Sequence, residues 1–247
     1  MLELRNPHSI LAAISVRPRA VKSIRIAAAG AGDIWDEVTS AARDRGIPVQ
    51  TGGADERRHP RAGRDTERVG AGSAQIEPPS PVPLELLWES SPEENRSGIW
   101  LALDQVQDPQ NLGAIFRLAG FFGVRGMVLT KDRSAPVNAT VCDVATGGVE
   151  HVPYSIVANL AQAMEKAQQN SIWIMGTCER ADVSIFNVDR DRNWMLVMGN
   201  EGQGLRRLTR EKCDQLVSMP ALGPVPSLNV ATATAACLAV LTTPLPK

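Results

Sequence analysis

Apolar positions near the start of the chain recur with two different spacings. Ile24, Ile26 and Ala28 alternate with Lys22, Arg25 or small residues, which predicts a half-buried strand over residues 21–28. Asp33 then opens a stretch in which Ile34, Val38 and Ala41 recur at helical spacing, and Gly46 closes it. Residues 47–51 read as a further short strand, so the first 76 residues form a small α/β unit. The periodicity stops at Gly52. From there to Gly72 the chain holds five arginines (Arg57, Arg58, Arg61, Arg64 and Arg68), several glycines and almost no apolar residue, as a loop would. Pro78, Pro79, Pro81 and Pro83 follow, a stiff segment unsuited to helix or central strand that marks a linker.

After Asn95 the texture becomes short apolar runs alternating with amphipathic stretches. Residues 99–103, 127–130, 172–176, 195–199 and 216–219 read as buried strands, and 155–169 and 228–241 as helices. Apolar strands separated by helices predict a mostly parallel sheet covered on both faces, with ligands bound beyond the carboxyl ends of its strands. The domains are therefore residues 1–76, a linker at 77–96, and residues 97–247.

Composition narrows the possibilities further. Among 247 residues, 26 Lys and Arg balance 27 Asp and Glu, and the chain is 43% hydrophobic and 21% charged, which excludes a wholly disordered or collagen-like protein. Its longest nearly apolar stretch, 230–241, falls short of the roughly 18 residues a membrane span requires, so no membrane is expected. Cys142, Cys178, Cys213 and Cys237 are widely separated, without the spacing of a zinc site, and read as neutral thiols in a reducing compartment; no metal is expected. The first 25 residues carry five basic residues against Glu3 alone, faintly like a transit peptide, but the core strand at 21–28 favours a cytoplasmic protein. Residues 1–76 hold 12 basic and 9 acidic residues, and the five clustered arginines are basic enough to attract phosphate, although a merely solvated loop explains them equally well.

Three strand exits carry the candidate chemistry. In the first, residues 104–117, Asp108-Pro109 makes a turn, Asn111 is suited to cap a helix, and Arg117 lies within that helix among apolar neighbours. Arg117 serves either a structural ion pair or a phosphate or developing oxyanion, which its planar donors fit well. The second is Gly199-Asn200-Glu201-Gly202-Gln203-Gly204, whose glycines let backbone approach a ligand. Leu205-Arg206 replaces the Lys-Ser/Thr of a P-loop, and the glycine order is not the dinucleotide fingerprint, so an NTPase or dehydrogenase is disfavoured; alone, the turn is a tight connection and Glu201 a solvated carboxylate. The third exit, residues 221–230, uses Pro224 and Pro226 to deliver Ser227 and Asn229 to a helix start, where capping alone would explain Ser227. Because all three follow strands of one sheet, Asn111, Arg117, Glu201, Ser227 and Asn229 are expected to converge on one cleft. His8, His59 and His151 lie outside these loops, so no hydrolase constellation competes, and His151 reads as a strand-edge or core residue.

At these loops the chain resembles the SpoU or TrmH family of RNA ribose 2′-O-methyltransferases, within the SPOUT class. The first family motif is matched by Asn111-Leu112-Gly113-Ala114-Ile115-Phe116-Arg117, the second by Leu196 to Leu205, and the third by Pro220 with Ser227-Leu228-Asn229-Val230. Lys131 to Ala135, Asn138-Ala139-Thr140 and Gly147-Gly148 look closest to the branch that methylates a guanosine in large-subunit ribosomal RNA. The resemblance implies an α/β fold with a parallel sheet and a C-terminal trefoil knot, preceded by a small RNA-binding α/β domain, and a homodimer paired through the knot region. It implies S-adenosylmethionine as cofactor, held by Thr177, Gly199, Gly204, Met219, Leu228 and Asn229. RNA is the implied partner, and Arg117, Asn111, Glu201, Ser227 and Asn229 are the implied catalytic residues. Methyl transfer to a ribose 2′-hydroxyl requires that its proton be removed or its charge stabilised. An arginine remains protonated, so Arg117 is expected to bind phosphate and stabilise the alkoxide rather than act as a simple base. Asn111 and Asn229 would orient loops and substrate, Glu201 would fix the RNA or the arginine, and Ser227 would cap or hydrogen-bond nearby. Pro226 and Ala231 depart from many relatives. A tRNA ribose methyltransferase, or a non-catalytic RNA-binding or ribosome-assembly factor, are the alternatives.

Overall fold

A computed structural model of the protein describes residues 1–27, 32–52, 71–88, 97–200 and 202–243. The chain begins β1 (Leu2–Leu4), α1 (Pro7–Val16), β2 (Val21–Ile26), α2 (Asp33–Asp44), β3 (Val49–Thr51) and β4 (Gly72–Ile76). It continues with β5 (Ile99–Leu103), α3 (Pro109–Phe122), β6 (Gly126–Thr130), α4 (Ala139–Ala145), α5 (Gly148–His151), β7 (Tyr154–Val157) and α6 (Leu160–Gln169). The remainder is β8 (Trp173–Thr177), β9 (Val183–Ser184), β10 (Trp194–Met198), α7 (Arg207–Glu211), β11 (Gln215–Ser218) and α8 (Val230–Thr242). These elements form two compact units, Met1–Ser80 with Pro136–His151, and Pro81–Ala135 with Val152–Lys247.

The first unit is built on a four-stranded sheet of order β1-β4-β2-β3, parallel only between β2 and β3. Trp35, Val38 and Ala42 of α2 are fully buried, so the buried stripe shares Val38 with the expected Ile34, Val38 and Ala41 but is turned by one residue, leaving Ile34 and Ala41 half-buried. Asn6 caps α1 by accepting from His8 N, and Pro7 at the first position has no amide to waste there. Arg17 grips the nearly buried Glu150 of α5 with two nitrogens, at 2.6 and 2.8 Å, while Ser9 Oγ donates to Cys142 O and Asp143 accepts from the amides of Arg5 and Asn6.

The second unit holds a seven-stranded sheet of order β7-β6-β5-β10-β8-β11-β9, parallel throughout. Every residue of β5, β6 and β10 is buried, which is why these strands read as unbroken apolar runs. Trp100, Val128, Ile174, Met195 and Val197 form a core with Leu160, Met164 and Ala167 of α6, and Trp100 Nε1 donates to Leu87 O at 2.8 Å. Burying side chains of this size contributes roughly 1.5–3 kcal/mol each, so the sheet is a rigid platform for the loops at its ends.

Three expectations are corrected. The stretch 155–169 is not one helix: Tyr154–Val157 is a strand registered beside Met127 to Thr130, and the helix starts only after Asn159, whose Oδ1 accepts from Gln162 N. The helix expected from 228 starts at Val230. His151 is neither core nor strand edge but an exposed residue ending α5. The arginine cluster 57–68 lies outside the described residues.

Candidate active site

Parallel strands deliver their carboxyl ends to one edge, and there the ends of β8, β10 and β11 surround a cavity of about 670 Å³, a volume suited to a ligand of nucleoside size. Thr177, Gly199, Gly204, Met219, Ser227 and Leu228 all line it. Ile185, Leu205, Val217 and Val230 supply apolar wall.

Two unlike loops frame the cavity. Asn200 and Gly204 close a tight turn through reciprocal backbone bonds of 3.1 and 2.8 Å, while Asn200 Oδ1 accepts from Gly202 N and its Nδ2 donates to Gln105 O. Gly204 has φ +65°, which favours glycine. A methyl group on Gly199 would fall on the backbone carbon of Gly204 and within 2.5 Å of Leu205 N, so no side chain fits there. The other loop, residues 220–228, is exposed, and its backbone amides and carbonyls form no hydrogen bond with the described residues. Prolines at 220, 224 and 226 limit its freedom without consuming those polar groups. The cavity is therefore an apolar slot edged by backbone donors and acceptors that no described residue engages.

Two of the five candidate polar residues meet directly. Asn229 Nδ2 donates to Asn111 Oδ1 at 3.0 Å, joining the first and third exits across 118 positions of sequence. Asn229 caps α8 through Ala231 N and Thr232 N, so it is Asn229 and not Ser227 that performs the capping. Likewise Asp108, not Asn111, caps α3, leaving Asn111 buried in the first turn. Ser227 lines the cavity. Arg117 stands on an exposed face of α3, outside the cavity wall, and forms no ion pair with any described residue, so a structural ion pair does not account for it. Glu201 lies outside the described residues.

The wall also contains residues the sequence reading passed over. Cys178, Glu179 and Arg180 enter from the end of β8, and Arg210 from α7. The signal was the fourth strand exit, after Thr177, which has no glycine or proline to attract notice. Burial pushes the Cys237 thiol in the wall up to about 11 and that of Cys213 up to about 12, so both stay neutral. Among the described residues no group of three or more His, Cys, Asp or Glu is placed to hold a metal, and no helix is long and apolar enough to cross a membrane.

A parallel α/β domain with its cavity at the carboxyl edge and a glycine turn in its wall defines the class, that of the SpoU methyltransferase fold. The SpoU methyltransferase AviRb from Streptomyces viridochromogenes has this fold, with a TM-score of 0.78 over 98% of this chain and 88% of that one at 21% identity. The same protein in complex with AdoMet gives 0.74 over 97% and 88% at 22% identity. The SpoU rRNA Methylase family matches residues 98–239. A Pseudomonas aeruginosa protein, 23S rRNA (guanosine-2′-O-)-methyltransferase RlmB, is 40% identical over 232 residues, 94% of this chain and 92% of its own length. The chain belongs to the SpoU rRNA methylase family.

Proposed function

We propose that the protein uses S-adenosylmethionine to methylate the ribose 2′-hydroxyl of a guanosine in 23S ribosomal RNA. The observation that carries this reading is the union, in one cavity, of a turn too tight for any side chain at Gly199 and a loop, 220–228, with its backbone polar groups unspent. The name of the Pseudomonas relative supplies the nucleoside and the RNA, and the AdoMet complex of AviRb supports the cofactor.

The cofactor supplies an electrophilic methyl group on a sulfonium. Thr177, Gly199, Gly204, Met219 and Leu228 would hold it, with Asn229 behind them fixing the start of α8. Ser227 offers the only hydroxyl on the stretch 220–228, placed to hydrogen-bond cofactor or ribose. The Asn111–Asn229 bond holds the α3 and α8 starts together, so the two motifs move as one. Arg117 binds a backbone phosphate beside the target ribose and stabilises the alkoxide, with phosphate or water taking the proton. Glu201 orients that arginine or the RNA. The protein acts as a homodimer paired through the knot region, in which a second copy supplies Arg117. The C-terminal segment forms the family's knot, residues 1–76 bind RNA, residues 77–96 link them to the methyltransferase domain at 97–247, and the enzyme works in the cytoplasm.

Purified protein incubated with labelled S-adenosylmethionine and undermodified 23S rRNA, then nucleoside mass spectrometry, is expected to yield 2′-O-methylguanosine; label confined to a base, or transferred only to tRNA, refutes the reading. Arg117→Ala should abolish turnover while sparing cofactor binding. Mixing it with an inactive Gly199→Ala protein should restore part of the activity through dimers holding one intact site, and no restoration would argue against an arginine from the second copy.

A further inference from the structure

Beside the cavity, but not in its wall, stands an arginine held by a buried carboxylate. Asp104, at the end of β5, has a side chain with no exposure to solvent, and it accepts from Arg206 N at 3.2 Å, Arg206 Nε at 2.6 Å and Thr209 Oγ1 at 2.7 Å. These partners lie more than a hundred positions away, in the segment leaving the glycine turn. Three donors satisfy a carboxylate that would otherwise be costly to bury. Among the described residues only Nε of the guanidinium finds a partner: neither Nη nitrogen hydrogen-bonds to a described residue, and the side chain is 45% exposed. Arg17 shows the contrast, with Nε and an Nη on Glu150 and both Nη nitrogens near Glu77 O. Arg17 is spent; Arg206 is held by one edge with its other edge presented outward.

The surroundings match. Lys131 and Arg133, at the end of the adjacent strand β6, are exposed and form no ion pair with a described residue, with Asp132 between them. Elsewhere in this unit Lys166, Arg192, Arg207 and Lys212 are each paired to a carboxylate, whereas Arg117, Arg180 and Arg210 are exposed and form no ion pair with a described residue. Leu205 lines the cavity and Arg206 does not, so a ligand on its free edge would sit outside the cofactor cavity, where a polynucleotide strand would pass. A guanidinium already fixed in one rotamer and offering two parallel N–H groups suits a phosphate.

We propose that Arg206 is a phosphate-binding residue for the RNA strand entering the active site, and that Asp104 is the positioning residue that holds it. This rests on the RNA methyltransferase reading above. The test measures filter binding of an unmodified 23S rRNA transcript between 50 and 200 mM salt, S-adenosylmethionine affinity by calorimetry, and methylation kinetics, for the parent chain, Arg206→Ala, Arg207→Ala, Asp104→Asn and the Asp104→Asn/Arg206→Ala double variant. Arg206→Ala should weaken RNA binding and raise the KM for RNA roughly ten-fold, reduce the salt slope by about one contact, and leave cofactor affinity and kcat at saturating RNA within about two-fold. Arg207→Ala removes the same charge from a residue paired with Glu211 and should change RNA binding less than about two-fold. The double variant should bind RNA no worse than Arg206→Ala alone, as expected if Asp104 acts through Arg206. Unchanged RNA affinity in Arg206→Ala, or a loss shared equally by Arg207→Ala, overturns the proposal, as does a loss of cofactor affinity alone, which would make Arg206 a loop clamp. If the parent methylates the transcript and Arg206→Ala does so equally well, only this inference falls; if the parent neither binds nor methylates RNA, the underlying reading falls with it. Should Asp104→Asn fail to fold, the half-exposed Arg206 still decides the matter.

Discussion

Replacing Gly199 by alanine adds one methyl group where the fold has no room for it. The nearest atoms are the backbone of Gly204 and Leu205, with Gly204 O at 2.6 Å and Leu205 N at 2.5 Å, and backbone cannot swing aside as a side chain would. Restoring an ordinary separation of roughly 3.5 Å requires a displacement on the order of 1 Å. That stretches the reciprocal Asn200–Gly204 bonds, now 3.1 and 2.8 Å, out of hydrogen-bonding range. Two bonds at about 1 kcal/mol each, with about 1–2 kcal/mol of overpacking, give a cost of about 3–4 kcal/mol. The melting temperature should fall by roughly 6–16 °C, at about 2–4 °C per kcal/mol for a chain of this size. Affinity for S-adenosylmethionine should fall at least ten-fold, because the displaced turn is part of the cavity wall. Three further glycines serve as controls. Gly204→Ala meets nothing within 4 Å but must adopt φ +65°, at about 1–2 kcal/mol. Gly202→Ala approaches only Asn200 Oδ1 at 3.6 Å, and Gly223→Ala meets nothing, so both should stay within about 0.5 kcal/mol of the parent. Thermal melts and calorimetry on the four proteins check the order. A Gly199→Ala protein that melts with the parent and binds the cofactor equally well would refute the steric reasoning.

Other outcomes follow from the same contacts. Asn229→Ala should cost about 1–2 kcal/mol by removing the α8 cap, whereas Asn229→Asp keeps the cap oxygen and loses the amide donor that reaches Asn111; denaturant melts should separate them, with both variants slowed in turnover. Burial raises the thiols of Cys142 and Cys213 to about 12 and of Cys237 to about 11, so a thiol reagent at pH 8 should spare these three in the folded protein and reach all four cysteines after denaturation. A raised folded value means that this contribution to stability is intact below the ordinary thiol value of about 9 and is lost as the pH climbs towards 11–12, because the unfolded chain ionises first. Denaturant midpoints should therefore fall between pH 9 and 11, and a Cys142, Cys213 and Cys237 triple alanine variant should show a flatter profile. Arg17→Lys should destabilise the protein by about 1–3 kcal/mol, since an ammonium cannot reproduce the two-nitrogen grip on Glu150, and a melt unchanged by that substitution would contradict it.

The strands of the large sheet were legible because burial on both faces forces unbroken apolar runs, and the runs near 99, 127, 173, 195 and 216 all fall on strands. β7 was hidden because Ser155, buried and donating to Val82 O, interrupts its apolar pattern and blends it into the following helix. α1 escaped notice since its buried face includes Pro7 and Ser9, and β1 and β4 are short, so neither carries a clear period. At the cavity, glycines and prolines marked the loops after β10 and β11, whose residues line the wall. What the pattern did not convey was partnership. Nothing in the sequence tells that Asn111 finds Asn229, or that Asp104 finds Arg206, because such pairs depend on which strands become neighbours. The pattern did place Arg117 within a helix, and it stands on an exposed face of α3.

The sheet's order has a consequence for how the molecule is made. β5 lies directly against β10, with Ile99 beside Trp194, so the two central strands are 95 positions apart. A ribosome adding roughly 5–20 residues per second leaves about 5–20 seconds between the emergence of β5 and that of β10, during which β6 and β7 appear while the flank of β5 awaits its neighbour. Throughout that interval a row of unpaired amides and carbonyls, bordered by Trp100 and Leu101, is open to any passing strand. The nascent chain is thus most vulnerable to aggregation midway through translation, and that interval is when a chaperone would matter most to its yield.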